Sequence, residues 1–198
     1  SVPGAFTIPN GSVVRGGLSA SSFLVPPDAA LTVGAVAFGA PVSIGERASV
    51  FFDSNTTFGG GVTFADDVQA TLGRFVTLTF NAPSTNRGTL RLGSRNDGGQ
   101  VNGSGRLENE GLLEVFVTEP VSSGSEATFN LPVAVPVGGT LRLATNALLN
   151  LSCASDSLRV AGTLDLRDGS RLRVDSCNRK TVAITNGATL LVLTDRGM

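Results

Sequence analysis

Three pairs of acidic residues could bring two carboxylates together: Asp66 with Asp67, Glu108 with Glu110, and Asp165 with Asp168. Paired carboxylates are the equipment for glycoside cleavage, one giving a proton and the other activating water or attacking. Asp66 and Asp67 are adjacent and would face opposite sides of a strand, so a turn suits them better. Glu108 and Glu110 would share one face of a strand. What is missing weighs against catalysis. The chain has no His, no Trp and no Tyr. Without His there is no common general base or metal ligand, and no Ser-His-Asp or Cys-His nucleophile. Without Trp and Tyr the usual stacking platforms for sugars and bases are gone, and Phe replaces them only in part. The acids therefore read as solvated strand edges. The chain reads as a non-enzyme with no catalytic residues, no metal site and no cofactor.

The elements that would carry these residues are written in a repeat. Gly88-Thr-Leu-Arg-Leu92 recurs as Gly139-Thr-Leu-Arg-Leu143 and as Gly162-Thr-Leu-Asp-Leu166. Weaker copies begin at Gly111 and Gly187, so the steps between glycines are 23, 28, 23 and 25 residues. Such a period means one stacked supersecondary unit per repeat. Within a unit, apolar and polar residues alternate: Leu158, Val160, Leu164 and Leu166 point one way, Arg159 and Asp165 the other, the strand signature. After a turn at 167–170, Leu172 and Val174 point in, with Arg171, Arg173 and Asp175 out. Three short strands joined by tight turns would use one period, and the glycine is expected where the chain bends and needs φ freedom. No window shows a helical apolar stripe.

Residues 1–84 differ from 85–198. Nine of the eleven Phe lie in the first part, a Phe-rich β region of irregular solenoid coils or an N-terminal β subdomain. Its strand candidates are 42–44, 48–52, 62–64 and 74–80, at closer spacing. The second part is Leu-rich solenoid repeats. The segment 81–86 between them reads as a turn. The fold class is all-β, a parallel β-helix or solenoid with rungs of about 23–25 residues, clearest in the second half.

Composition agrees. Charged residues are 16%, Gly is 25 of 198, and the net charge is -1, so nothing calls for nucleic acid or an anionic membrane. The longest uncharged stretch, between Asp28 and Glu46, is broken by glycines and Pro41 and is short for a span. The chain opens at Ser1 and not Met, which suggests a processed product or an excerpt of a longer polypeptide.

Cys153 and Cys177 are 24 residues apart, close to one period. Residues one coil apart stack about 4.8 Å from each other, which suits a disulfide worth about 3 kcal/mol in an oxidising compartment. Four Asn-x-Ser/Thr acceptors, at Asn10, Asn55, Asn102 and Asn150, mark possible N-glycosylation; Asn150 lies in a strand-like segment. Outward arginines 91, 142, 159, 171 and 173 could form a ladder on one face, with acids such as Glu114, Asp165 and Asp175 interspersed to relieve repulsion. Thr77 and Thr79 could start a flat Thr array, but no neighbouring coil repeats Thr-x-Thr.

The Leu-x-x-x-Gly-Thr-Leu-x-Leu pattern, with Leu107-Glu-Asn-Glu-Gly-Leu-Leu113 as a variant, resembles the right-handed parallel β-helix of large surface proteins such as autotransporter passengers and filamentous adhesins. The resemblance covers residues 86–195 well and the first part poorly. Paired cysteines and the 28-residue step, with Pro120, Pro132 and Pro136, depart from it. It implies a non-catalytic extracellular or cell-surface module, structural or adhesive, within a larger surface protein or fibre. Its partners would be other domains or subunits covering the two open ends, and glycans. The competing class is a carbohydrate-binding or carbohydrate-active β-helix of the polysaccharide lyase or hydrolase kind. A viral or phage fibre segment, marked by a stable trimer, is a third.

Overall fold

A computed structural model describes residues 4–94, 98–117, 125–151, 157–174, 181–184 and 189–192. Every described strand pairing is parallel, and the strands stack as a β-solenoid. The first stack holds β1 (Ala5–Thr7), β3 (Ser22–Val25), β5 (Val42–Ile44), β8 (Val62–Phe64), β11 (Ser84–Asn86), β14 (Leu107–Asn109), β17 (Val133–Val135), β20 (Ser157–Val160) and β23 (Thr181–Ile184). The second continues from β4 (Ala30–Phe38) through β6 (Ser49–Phe52), β9 (Gln69–Leu72), β12 (Thr89–Ser94), β15 (Leu112–Val117), β18 (Thr140–Leu143), β21 (Thr163–Leu166) and β24 (Thr189–Val192). The third runs from the same β4 through β7 (Thr56–Phe58), β10 (Thr77–Phe80), β13 (Gln100–Asn102), β16 (Ser125–Asn130), β19 (Ala147–Leu151) and β22 (Arg171–Val174). Strand β4 joins the two because Ala30–Val33 pairs with β6 while Val36–Phe38 pairs with β7. β2 (Val13–Leu18) lies along β4 with a register shift between Val14 and Gly16. Each full rung thus carries three short strands, as the alternation predicts.

The segment 81–86 is not simply a turn: Ser84–Asn86 is strand β11, paired with β8 on one side and β14 on the other. Likewise, strand character in the expected 74–80 segment begins only at Thr77.

Rungs lengthen towards the middle of the chain and shorten again beyond it, to 25 residues at Val133–Leu158 and 24 at Leu158–Val182. Paired residues in the first stack lie 19 positions apart at Phe23–Val42, 22 at Thr63–Thr85 and 26 at Leu107–Val133. Extra residues enter mainly between the second and third stacks. Three residues separate β6 from β7, four β9 from β10, five β12 from β13, and seven β15 from β16. The long junction after β15 and a four-residue corner at 136–139 together make the 28-residue step. The final step is 26 residues, with Leu164 opposite Leu190, one more than the glycine spacing implies; Gly187 itself lies outside the described residues.

Corners between the first and second stacks come in two kinds. Four-residue corners at 26–29, 45–48, 65–68 and 136–139 place their third residue at positive φ: Asp28, Arg47, Asp67 and Gly138. Two-residue corners at 87–88, 110–111 and 161–162 end in glycine. The glycine is needed there for a reason other than the expected one. None of Gly88, Gly111, Gly139 or Gly162 has positive φ. A Cβ on Gly111 would instead run into the carbonyls of Gly88 and Arg87 in the previous rung. Close stacking of corners, and not φ freedom, excludes a side chain.

The core is built in columns, because in-register parallel pairing sets each residue over its counterpart. Phe38, Phe58 and Phe80 stack with centroids 5.5 and 5.6 Å apart and ring planes within 9° and 15°. Phe23 meets Phe38 edge-on at 5.0 Å and Phe52 meets Phe58 edge-on at 6.1 Å. On the second stack, Leu90, Leu113, Leu141 and Leu164 make an aliphatic column of their own. Phe58 is held by two stacked rings and one edge contact. Phe58→Ala is therefore expected to lower unfolding stability by about 3–5 kcal/mol, read from a denaturant titration. A cost below about 1 kcal/mol would mean that the ring stack carries little of the core's stability.

Candidate functional site

The outward side of the second stack carries one line of charge. Arg91 on β12, Glu114 on β15, Arg142 on β18 and Asp165 on β21 stand directly opposite one another in register. Arg91 Nε donates to Glu114 Oε2 at 2.8 Å, and Arg142 Nε to Asp165 Oδ2 at 2.8 Å. Arg142 Nη1 also lies 3.7 Å from Glu114 Oε1. Arg167 closes the row, donating to Asp165 Oδ2 at 2.7 Å. The Phe116 ring stacks under the Arg91 guanidinium, 4.5 Å from its centroid. Alternating sign turns cross-strand neighbours from repulsive to attractive.

Asp165 is the buried member, only 2% exposed, and its Oδ1 has no hydrogen-bond partner. Burial pushes its carboxyl up, but hydrogen bonds from Arg142 and Arg167 outweigh that and hold it below the ordinary carboxylate range.

The expected arginine ladder on one face does not form. Arg91 and Arg142 are on the second stack, Arg159 on the first, and Arg171 and Arg173 on the third. The interspersed acids Glu114 and Asp165 are where alternation requires them; Asp175 lies outside the described residues.

The remaining acid pairs are placed apart from one another's chemistry. Asp66 and Asp67 are exposed in a corner, with Asp67 at φ 59. Glu108 sits on β14 and accepts from Arg106 at 3.0 Å, while Glu110 sits in the next corner and accepts from Arg87 at 2.8 Å. Asp168 lies in the turn after β21, where its backbone carbonyl accepts from Asn146 N at 2.8 Å. Among the described residues, no group of three or more His, Cys, Asp or Glu side chains could hold a metal. Among the same residues, no helix is long and apolar enough to cross a membrane.

Cys153 and Cys177 lie outside the described residues. Asn10 and Asn55 are exposed, and each side-chain oxygen accepts a backbone N–H of the following rung, from Ala30 and Thr77 respectively, at 2.8 Å. Asn102 on β13 and Asn150 on β19 are half-buried.

Sequence reasoning missed a buried polar pair. Asn86 and Asn109 are both fully buried at the ends of β11 and β14. Asn86 Nδ2 donates to Asn109 Oδ1 at 2.6 Å and to the Leu112 carbonyl at 3.1 Å. Asn109 Nδ2 donates to the carbonyls of Gly111 at 3.1 Å and Thr140 at 2.8 Å. Each amide ties its own rung to the next. The signal was present as Asn-x-Gly at 86–88 and 109–111, which marks an inward amide just before a two-residue corner. Val160 fills the same position before the corner at 161–162.

The third stack carries two columns of uncharged polar residues; its charged positions are Glu126 on β16, in register with Leu148 and Arg171, and Arg173 on β22. Thr77, Gln100, Thr128 and Asn150 form one column, begun by Asn55. Thr57, Thr79, Asn102 and Asn130 form the second. Asn130 Nδ2 donates to Asn102 Oδ1 at 2.5 Å, and Asn102 Nδ2 to Gln100 Oε1 at 3.4 Å. The neighbouring coils do not repeat Thr-x-Thr; they repeat its polarity.

Comparison with known proteins adds no name: no family model matches the chain, and no curated protein or solved structure matches it.

Because the folded Asp165 carboxyl titrates below its unfolded value of about 3.9, its contribution is complete above that pH and is lost as pH falls through the folded value. Asp165→Asn is expected to cost about 2 kcal/mol at pH 7, a figure discounted because both arginines are partly in water. It should also flatten the loss of stability below about pH 4 that the parent is expected to show. Melting curves from pH 2 to 7 read both effects; an unchanged acid limb refutes the assignment. For the amides, Asn86→Val or Asn109→Val alone strands a partner and should cost about 2 kcal/mol each. The double variant should cost less than the sum, which a double-mutant cycle measures.

Proposed function

We propose that this chain is a non-catalytic structural or adhesive β-solenoid module of an extracellular or cell-surface protein. The observation that carries this reading is the unbroken parallel ladder in which charge is spent on the fold itself. Glu110, Glu114 and Asp165 are each bound by an arginine of the neighbouring rung, an arrangement that ties rungs together, and Glu108 is bound by Arg106 within its own rung. A rod of stacked rungs displays wide sheet faces on a stiff frame, which is what scaffolds and adhesins require.

Extracellular placement draws on the cysteines and sequons. Strands β19 and β22 are neighbours, with Leu151 opposite Val174, and end two and three residues before Cys153 and Cys177. A disulfide there would staple adjacent rungs. The exposed Asn10 and Asn55 suit glycan attachment. Strands β1 and β2 each have one neighbour, and Phe6 and Val13 are exposed beside them. Further domains or subunits of a surface assembly would cover such an edge. The intact mass of the native protein, before and after reduction and deglycosylation, tests this. A closed Cys153–Cys177 bond with glycan at Asn10 or Asn55 is expected. Two free thiols on a bare chain would overturn the extracellular assignment.

A further inference from the structure

Two features of the third stack point to a ligand, and they arise independently. The first is the pair of uncharged columns on β7, β10, β13, β16 and β19. They offer amide and hydroxyl groups that both donate and accept, spaced about 4.8 Å between rungs and about 6.6 Å along a strand. The array is bounded by Ala37 at one end and Arg173 at the other. The alternating charged row lies on the second stack, and on the third the charged positions Glu126, Arg171 and Arg173 lie outside the two columns or at their end, so the columns themselves present hydrogen-bonding capacity without a charge of their own.

The second feature is Phe75. It lies in the junction between β9 and β10, two residues before Thr77, and is 52% exposed. Its φ is 59°, the conformation also taken by the third residue of the four-residue corners at Asp28, Arg47 and Asp67. The corner sets that conformation, and it leaves the ring open to solvent, with the Arg74 guanidinium 5.4 Å from its centroid. Phe51 reaches the same junction: a Cβ on Gly73 would sit 3.3 Å from its ring, and Phe51 is 46% exposed. Phe51 itself belongs to the second stack, in register with Thr71 and Arg91, so Phe75 is the open ring next in sequence to the polar columns.

Resting on the adhesive reading above, we infer that the third face binds an uncharged, hydroxyl-rich polysaccharide. Its hydroxyls exchange hydrogen bonds with the two columns, and an apolar C–H face of one sugar lies on Phe75. An extended β-linked chain suits a flat array better than a compact ligand does. In a chain without Trp or Tyr, an exposed Phe held at a corner is the aromatic platform available.

Affinity electrophoresis of the full chain tests this, in gels containing hydroxyethyl cellulose, arabinoxylan, galactomannan or polygalacturonate. At least one neutral polymer should retard the protein, and polygalacturonate should not. Phe75→Gly and Gln100→Lys should each weaken retardation by about tenfold, equivalent to about 1.4 kcal/mol. Thr89→Lys on the second stack should leave it unchanged. Glycine fits φ 59° without strain, so Phe75→Gly should melt no lower than the parent, which separates lost binding from lost fold. Retardation by no neutral polymer, stronger retardation by polygalacturonate, or retardation that survives both third-face variants overturns the inference. Loss in Thr89→Lys alone moves the ligand to the charged face, overturning this assignment and leaving the adhesive reading intact.

Discussion

In-register parallel hydrogen bonding between rungs is the constraint on which the rest of this molecule depends. It places residue over residue at one strand spacing, so every side chain has a counterpart above and below. A column then has to be self-compatible. Aromatic rings satisfy this by stacking, as Phe38, Phe58 and Phe80 do. Charged residues satisfy it by alternating sign, as Arg91, Glu114, Arg142 and Asp165 do. Amides satisfy it by bonding to one another, as Asn86 and Asn109 do in the core.

Corners must obey the same rule in backbone form. Where the first and second stacks meet through two residues, the corner packs directly on the backbone below and admits only glycine. Four residues are used where the third can take positive φ, and Asp28, Arg47 and Asp67 do so despite their side chains. Asp28 and Arg47 recover part of that cost through a two-pronged ion pair with contacts of 2.7 and 2.9 Å. Length variation falls mostly in two junctions, three to seven residues between the second and third stacks and two to six between the third and first, and the ladder keeps its register across both.

The three stacks consequently share one core and differ outside. Charge is neutralised within the second stack, while the third presents two columns of uncharged polar residues, one of which ends at Arg173, with the open Phe75 ring beside them. Function on such a frame belongs to a face and not to a cleft, since outward residues from successive rungs form one continuous surface. That is why the acid pairs singled out for catalysis resolve into corners and separate ion pairs.

Much of this was legible in the sequence. The Gly-Thr-Leu repeats gave the period, and two-residue alternation gave the strands, because both properties are local and the rung repeats them. The acids among the arginines also signalled alternation, since stacked like charges repel. Other features needed the tertiary structure. Ser84–Asn86 looks like a turn, because a strand that buries Ser and Asn has no apolar alternation to show. The arginines looked like one ladder, because sequence gives in and out but not which of three stacks a strand joins. The glycines looked like φ devices, because only stacking reveals the carbonyl that a Cβ would strike. Register across rungs of unequal length decided which residues became neighbours. Hydrogen bonds between rungs fix that register, and no single rung contains the information.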